Sequence, residues 1–250
     1  MRTISELNKV WLIFVLVTGW AAFPCLGLPV TGREITKSKP IKGIDVSHFS
    51  GAVDWQKVKT AGYAFAFAKA TEGVDLMDPM FQDHWPEIKK AGLIRSAYHF
   101  YVTEDDPEAQ ADFFIKNVSL RPGDFRPAVD IESIGAGTKP GLVQRLKKFL
   151  GILEKHYGGK PFIYTGPKFW NSHLNDHFGA YPLWIAEYGV DEPVTPQGWK
   201  EWHLWQWKED AVVPGVEKGA DLSIFNHREK DFSSFLVKEK QTGKKRFPVY

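Results

Sequence analysis

Cysteine is nearly missing from this chain: of 250 residues only Cys25 carries a thiol. A disulfide framework and a thiolate metal site are thereby excluded. Long apolar runs are missing beyond residue 30, so no later segment is built to cross a bilayer. An excess of one charge is missing too. Lys and Arg number 32 against 30 Asp and Glu, a formal net charge of +2, and so even a balance gives no electrostatic reason to expect a nucleic-acid partner. There is no His-x-His motif. That weakens a rival reading in which carboxylates and His99 hold a divalent metal, because such sites draw on clustered imidazoles; neither metal nor cofactor is expected. No internal repeat is present, and the only biased segment is the C-terminal tail.

What the chain has instead begins with a leader. Arg2 and Lys9 come before an uncharged run from Val10 to Val30 that contains Trp-Leu-Ile-Phe-Val-Leu-Val at 11–17. A basic start followed by an apolar stretch is how an export signal is built. Cys25-Leu26-Gly27 offers a small-x-small site with cleavage after Gly27. The competing reading is an uncleaved anchor that keeps residues 10–30 in the membrane, since the run is nearly long enough to span one. Residues 1–27 are therefore expected to be a signal peptide, 28–41 a linker with Gly32 and Pro40, 42–235 one folded domain, and 236–250 a tail carrying Lys238, Lys240, Lys244, Lys245 and Arg246. A solvated tail is the common meaning of such a run, and attraction to anionic wall polymers or lipid head groups the functional one. The expected product is an exported monomer in the periplasm, cell wall or medium.

Apolar and β-branched runs at 42–47, 64–70, 94–100, 126–132, 161–166, 183–188, 203–207 and 220–226 predict eight strands. Helical patterns fall between the first five and after the fifth, at 54–61, 79–91, 105–117, 141–157 and 167–178. The fourth is clearest, with Leu142, Leu146, Phe149, Leu150, Leu153 and Tyr157 on one face before Gly158-Gly159. Alternating β and α units with buried strands imply an α/β fold, and eight strands imply a closed TIM-like barrel. The last third has no helical period, with Pro193, Pro196 and Pro214 in its connections. A parallel return usually takes a helical crossover, so the final strand at least is expected to run antiparallel.

The acids are placed suggestively. Arg126-Pro127-Ala128-Val129-Asp130-Ile131-Glu132 ends a strand in two carboxylates one residue apart, which alternation points the same way. Close carboxyls cannot both ionise freely, so an acid and a carboxylate can coexist near neutral pH, which is what cleavage of a glycosidic bond requires. Taken alone, an Asp-x-Glu at a strand end is more often mere surface. In a β/α barrel, however, chemistry sits at the carboxyl ends of the strands. That rim collects Asp45, Lys69, His99, Asp130, Glu132, Tyr164, Glu187, Tyr188 and Gln206. If the last strand is antiparallel, its start brings Asp221 to the same rim. Aromatic rings are plentiful, with 10 Trp, 8 Tyr and 18 Phe; some would stack on sugars, although most such rings fill cores.

Gly43-Ile44-Asp45-Val46-Ser47, Lys69-Ala70-Thr71-Glu72-Gly73, Ala97-Tyr98-His99-Phe100, Asp130-Ile131-Glu132, Tyr164-Thr165, Leu183-Trp184-Ile185-Ala186, Trp205-Gln206 and Asp221 resemble, in order, the motifs of glycoside hydrolase family 25, the Chalaropsis-type lysozymes or N-acetylmuramidases. The resemblance spans about residues 42–235. It implies a barrel of five β/α units followed by three strands, and hydrolysis of the β-1,4 bond between N-acetylmuramic acid and N-acetylglucosamine in peptidoglycan. It further implies Glu132 as general acid with Asp130 assisting and staying ionised, Asp45 and Asp221 beside them, and Tyr98, Tyr164, Trp184, Tyr188 and Gln206 shaping the sugar site. The sequence departs from the family at Ser50, where Gln is frequent. Whether the sugar's own acetamido group or a carboxylate attacks the anomeric carbon stays open. A barrel that only binds peptidoglycan is the non-enzyme alternative. A chitinase is the nearest enzyme alternative, but its longer acidic run upstream of Glu132 is absent.

Overall fold

A computed structural model describes residues 40–135, 141–226 and 233–239, all in one compact unit. The expected signal peptide, most of the linker and residues 240–250 of the tail lie outside the described residues. Among the described residues the strands are β1 (Ile41–Val46), β2 (Phe65–Glu72), β3 (Leu76–Met77), β4 (Ile94–Phe100), β5 (Ala128–Asp130), β6 (Phe162–Thr165), β7 (Leu183–Ala186), β8 (Leu204–Ala211) and β9 (Ala220–Phe225). The helices are α1 (Trp55–Thr60), α2 (Phe81–Lys90), α3 (Pro107–Asn117), α4 (Leu142–Tyr157) and α5 (Pro167–His173). β1, β2 and β4 to β8 are parallel neighbours in chain order, β9 runs antiparallel between β8 and β1, and the β1–β2 pairing closes eight strands into a barrel. The short β3 is an unexpected hairpin on β2.

Local chemistry explains most boundaries. Asp54 Oδ1 caps α1 at Lys57 N, and Asp106 Oδ1 caps α3 at Glu108 N and Ala109 N ahead of Pro107. Leu142, Leu146, Phe149, Leu150 and Leu153 form the buried face of α4, which stops at Gly158 in the left-handed region, φ 77°. α5 stops at His173, short of the expected 178, where Asn175 turns left-handed with φ 51°. The connection from β7 to β8 is helix-poor, as the sequence predicted, and β8 still returns parallel. The loop replaces a crossover helix. Trp199 packs on Trp170 with ring centroids 4.4 Å apart and donates to Tyr181 O at 2.7 Å, so this stretch covers the outer wall as a helix would.

Two cores result. One lies between barrel and helices, around Leu146, Phe149, Ile131 and Trp170. The other fills the barrel itself with Phe65, Phe67, Phe125, Phe162, Trp184, Phe225 and Phe235. Gly43 belongs to that filling: a methyl there would lie 2.0 Å from the Phe65 ring, its cross-strand partner. Phe235 plugs the lower end, 5.4 Å from Phe162 and 5.6 Å from Phe225. Pairing continues past it, through Leu236 with Phe125 and Val237 N with Asp124 O, so two residues of the expected tail belong to the folded wall.

A bulge in β2 decides which of its polar residues face inward. Lys69 pairs with Tyr98 and Thr71 with His99, the register slipping at Ala70. Lys69 faces the barrel interior in phase with Phe65 and Phe67, and the extra residue turns Thr71 the other way, so that its Oγ1 meets His99 Nδ1 at 2.8 Å on the outer side. His99 is thereby buried under α3 and α4, its Nε2 3.1 Å from Gln110 Oε1 and its ring 5.0 Å from Phe149. The expectation that placed it at the rim fails on parity, since Tyr98 takes the inward position on β4. Burial holds the His99 pKa down at about 4. A folded value below the unfolded 6.5 means that the unfolded chain takes up the proton first, so this group costs stability as pH falls from 6.5 towards 4. The cost approaches about 3 kcal/mol at most. A His99→Phe protein should therefore lose less unfolding free energy than the wild type between pH 6.5 and 4 in parallel denaturant titrations; equal losses would contradict the burial of a neutral imidazole.

Candidate active site

At the carboxyl ends of the parallel strands the aromatic filling stops and a polar pocket of about 250 Å³ begins. Its wall includes Asp45, Lys69, Tyr98, Asp130, Glu132, Tyr164, Trp184, Gln206 and Asp221. β-Pairing accounts for the convergence. Asp45 and Asp221 sit directly opposite one another on β1 and β9, and Asp130, Tyr164 and Trp184 occupy successive cross-strand positions on β5, β6 and β7. The antiparallel β9 is what brings Asp221 here, because its first residues lie where its neighbours end. The strand stops at Asp130, yet alternation persists: Ile131 is buried in the outer core and Glu132 returns to the pocket wall at the solvent-exposed mouth.

Trp184 and Phe67 form the floor, 4.5 Å apart, with the Tyr164 ring edge-on to Trp184 at 4.9 Å. Trp184 is 2% exposed and donates to Ser223 Oγ at 3.0 Å, so it lies beneath the site rather than across its face. Tyr188, half-open at the rim, reaches in to donate to Gln206 Oε1. Gln206 is 1% exposed and fully engaged. Its Nε2 donates to Asp45 Oδ1 at 2.8 Å and Asp221 Oδ2 at 3.3 Å, while its Oε1 also accepts from Tyr164 at 2.9 Å. No valence is left for a sugar, which departs from the direct contact expected of it.

Several wall residues were not singled out in the sequence. Phe49, 74% exposed, stands at the mouth beside Ser47 and Phe100. It is carried by a tight turn after β1 in which Ser50 accepts the Ser47 N–H at 3.4 Å, the role taken by the residue that replaces the family's frequent Gln. An aromatic immediately after a motif carrying a rim Asp was the available signal. Beyond Phe49 a second hollow of about 390 Å³ shares Asp45, Ser47, Tyr98 and Asp221 with the first, so the two form a continuous cleft. Among the described residues Lys69 is the lone cation on the first pocket's wall, 2.6 Å from Glu72 Oε2 and 5.0 Å from the Phe100 ring.

Four carboxyls against one lysine make the pocket proton-hungry. Burial pushes Asp45 well up, with Asp221 adding to it and the Gln206 hydrogen bond opposing. Burial also raises Asp130 well above its ordinary range, with Glu132 next and Lys69 opposing. Glu132 is raised by burial and then Asp221, again against Lys69, and Asp221 is raised chiefly by burial. Asp130 lies deep, with Oδ1 lacking a hydrogen-bond partner, and Glu132 stands at the mouth; burial drives both towards the protonated form, whereas the sequence expectation had Asp130 staying ionised. The phenol of Tyr98 is pushed upward by burial and then by Asp45 and Asp130, so it stays protonated. Among the described residues no group of three His, Cys, Asp or Glu is arranged to hold a metal ion, and the outward-facing His99 takes the nitrogen ligand out of the metal reading.

The model of the family described as glycosyl hydrolases family 25 matches residues 44–216. The chain is 35% identical over 199 residues to Lysozyme M1 of Streptomyces globisporus, covering 74% of this chain and 68% of that protein. It is 30% identical over 203 residues to an N,O-diacetylmuramidase of Chalaropsis sp, covering 74% of this chain and 96% of the other. In structure it is similar to a crystallised bacterial lysozyme of Streptomyces coelicolor, with a TM-score of 0.76 and 30% identity over 80% of this chain and 98% of that one.

Raised carboxyl pKa values also fix a stability prediction. The unfolded chain releases the Asp130 proton near pH 3.8 while the folded chain keeps it, so this group costs stability as pH rises above that value. An Asp130→Asn protein should melt higher than the wild type at pH 7 and no higher below pH 3.8, as read by calorimetry at both pH values. A lower melting temperature at pH 7 would refute the strained-carboxyl description.

Proposed function

The chain belongs to the glycosyl hydrolases of family 25 and is a glycoside hydrolase, and from that premise we propose that it is an exported lysozyme that cleaves the β-1,4 bond between N-acetylmuramic acid and N-acetylglucosamine in peptidoglycan. The observation that carries this reading is the gathering of Asp45, Asp130, Glu132 and Asp221 on one cleft above an aromatic floor. An acetal needs a proton on its leaving oxygen and a way to stabilise the cation left behind. A pocket that cannot ionise all its acids at neutral pH holds that proton ready.

Glu132 is assigned the general acid because it stands at the open side, where a glycosidic oxygen can approach, with a pKa lifted by its surroundings. It donates its proton to the leaving oxygen as the C1–O bond breaks. Asp130 lies deeper, buried on the same wall with its Oδ1 enclosed and without a hydrogen-bond partner. The Asp130 carboxyl, on the wall of the same cleft, would accept the acetamido N–H of a bound sugar. Accepting it favours the ionised form of Asp130, so substrate binding would move the spare proton from Asp130 towards Glu132. The acetamido oxygen then attacks C1, and water opens the resulting ring while the Glu132 carboxylate takes up the water's proton. Asp45 and Asp221 keep the negative potential high around the developing cation. Tyr98, Tyr164 and Tyr188 frame the sugar, and the continuous second hollow extends the cleft for further residues of the glycan strand.

The test uses purified peptidoglycan with reducing ends counted and fragments weighed by mass spectrometry, since binding alone releases none. Glu132→Gln should lower kcat by about 10²–10⁴-fold with little change in folding. A folded Glu132→Gln protein that releases reducing ends at the wild-type rate would remove Glu132 from this role. Fragments ending in reducing N-acetylglucosamine would overturn the proposed bond.

A further inference from the structure

We propose, resting on the reading of this cleft as a glycosidase site, that Gln206 is the positioning residue that sets its hydrogen-bond polarity. It spends both amide hydrogens on Asp45 and Asp221 and takes the hydroxyl hydrogens of Tyr164 and Tyr188, so that the Tyr164–Tyr188 side of the wall offers lone pairs and meets a sugar through the sugar's own O–H and N–H donors.

A carboxamide has two N–H donors and two acceptor positions. At Gln206 all four are used, by side chains from four different segments of the barrel, at 1% exposure. Flipping the amide would turn its oxygen against the Asp45 and Asp221 oxygens and its donors towards the hydroxyls, so the acids select one orientation. With their hydrogens committed to Gln206 Oε1, Tyr164 and Tyr188 face the pocket as acceptors. Asp45 is left with Oδ1 satisfied and Oδ2 unpartnered, the atom on which a proton can reside. Asp221 is held from both sides, by Gln206 at Oδ2 and by Asp210 N at Oδ1, 2.9 Å away. Backbone geometry supports the aim, since β8 and β9 slip register immediately after the Gln206–Ser223 pair and fix where that side chain enters. Such an arrangement suits a chitin-like or murein-like glycan, in which hydroxyls and an acetamido N–H supply donors along the chain.

The titratable groups facing Asp45 are Asp221 on β9, Tyr98 on β4, Asp130 and Glu132 on and after β5, Tyr164 on β6 and Tyr188 after β7, with Lys69 on β2 the cation of the same wall. Among these neighbours the Gln206 hydrogen bond is what lowers the Asp45 pKa. Two near-isosteric variants of the intact chain test the proposal. Gln206→Met keeps the volume and removes every hydrogen bond. It should reduce kcat on peptidoglycan at least tenfold at the wild-type optimum, move the acid limb of the pH–kcat profile to higher pH, and raise the Asp45 titration midpoint seen by carboxyl ¹³C NMR. Gln206→Glu should be similarly impaired at neutral pH and regain activity on acidification, when its own carboxyl supplies one donor. A folded Gln206→Met protein with an unmoved Asp45 midpoint overturns the proposal, whether its activity is normal or uniformly scaled down at every pH. The titration needs no turnover: if the wild type itself released no reducing ends, the reading of the reaction would fail, while the Asp45 midpoint would still decide the role of Gln206.

Discussion

One antiparallel strand holds this molecule together in both senses. β9 hydrogen-bonds to β8 on one side and β1 on the other, and without it the parallel strands would form an open sheet with two bare edges. Its direction matters as much as its presence. A parallel strand in that place would carry its first residues to the lower end of the barrel. Running the other way, β9 delivers Asp221 to the upper rim at the position opposite Asp45. Closure of the fold and completion of the acidic cleft are thus the same set of backbone hydrogen bonds.

The cleft is expensive. Asp45 and Asp130 are both buried, each with an oxygen lacking a partner, and both are forced towards the protonated form by their surroundings. What offsets this is directly underneath. Phe65, Phe67, Phe125, Phe162, Trp184, Phe225 and Phe235 fill the barrel, and complete burial of each large apolar side chain contributes about 1.5–3 kcal/mol. A rigid, closely packed floor also keeps the acids from relaxing away from each other, which is how strain in a site survives. Stability in the lower barrel and reactivity at the upper rim are therefore linked through Phe67, Trp184 and Tyr164, whose rings meet at the boundary between the two.

Much of this was legible in one dimension. Strand positions, the amphipathic face of α4 and the helix-poor last third are local signals, read from periodicity and proline spacing, and neighbours in sequence suffice to produce them. The order of the motifs from Asp45 to Asp221 pointed to the family. What covers the outer wall in place of a helix was less legible, because Trp199 packs on Trp170 and nothing in the local pattern announces that pairing.

Residue type and chain order alone determined which side chains were available: four acids, a lysine and a set of aromatic residues at predicted strand ends. Only the tertiary structure decided how they are used. The bulge at Ala70 turned Thr71 outward onto His99 while Lys69 stayed in phase with the inward Phe65 and Phe67, a parity that one extra residue reverses. Burial pushed both Asp130 and Glu132 towards the protonated form, since desolvation depends on what lies around a carboxyl and not on its place in a motif. Gln206 became a buried hub because four segments distant in sequence meet at its amide, and a hydrogen-bond network of that kind exists only once the barrel has closed.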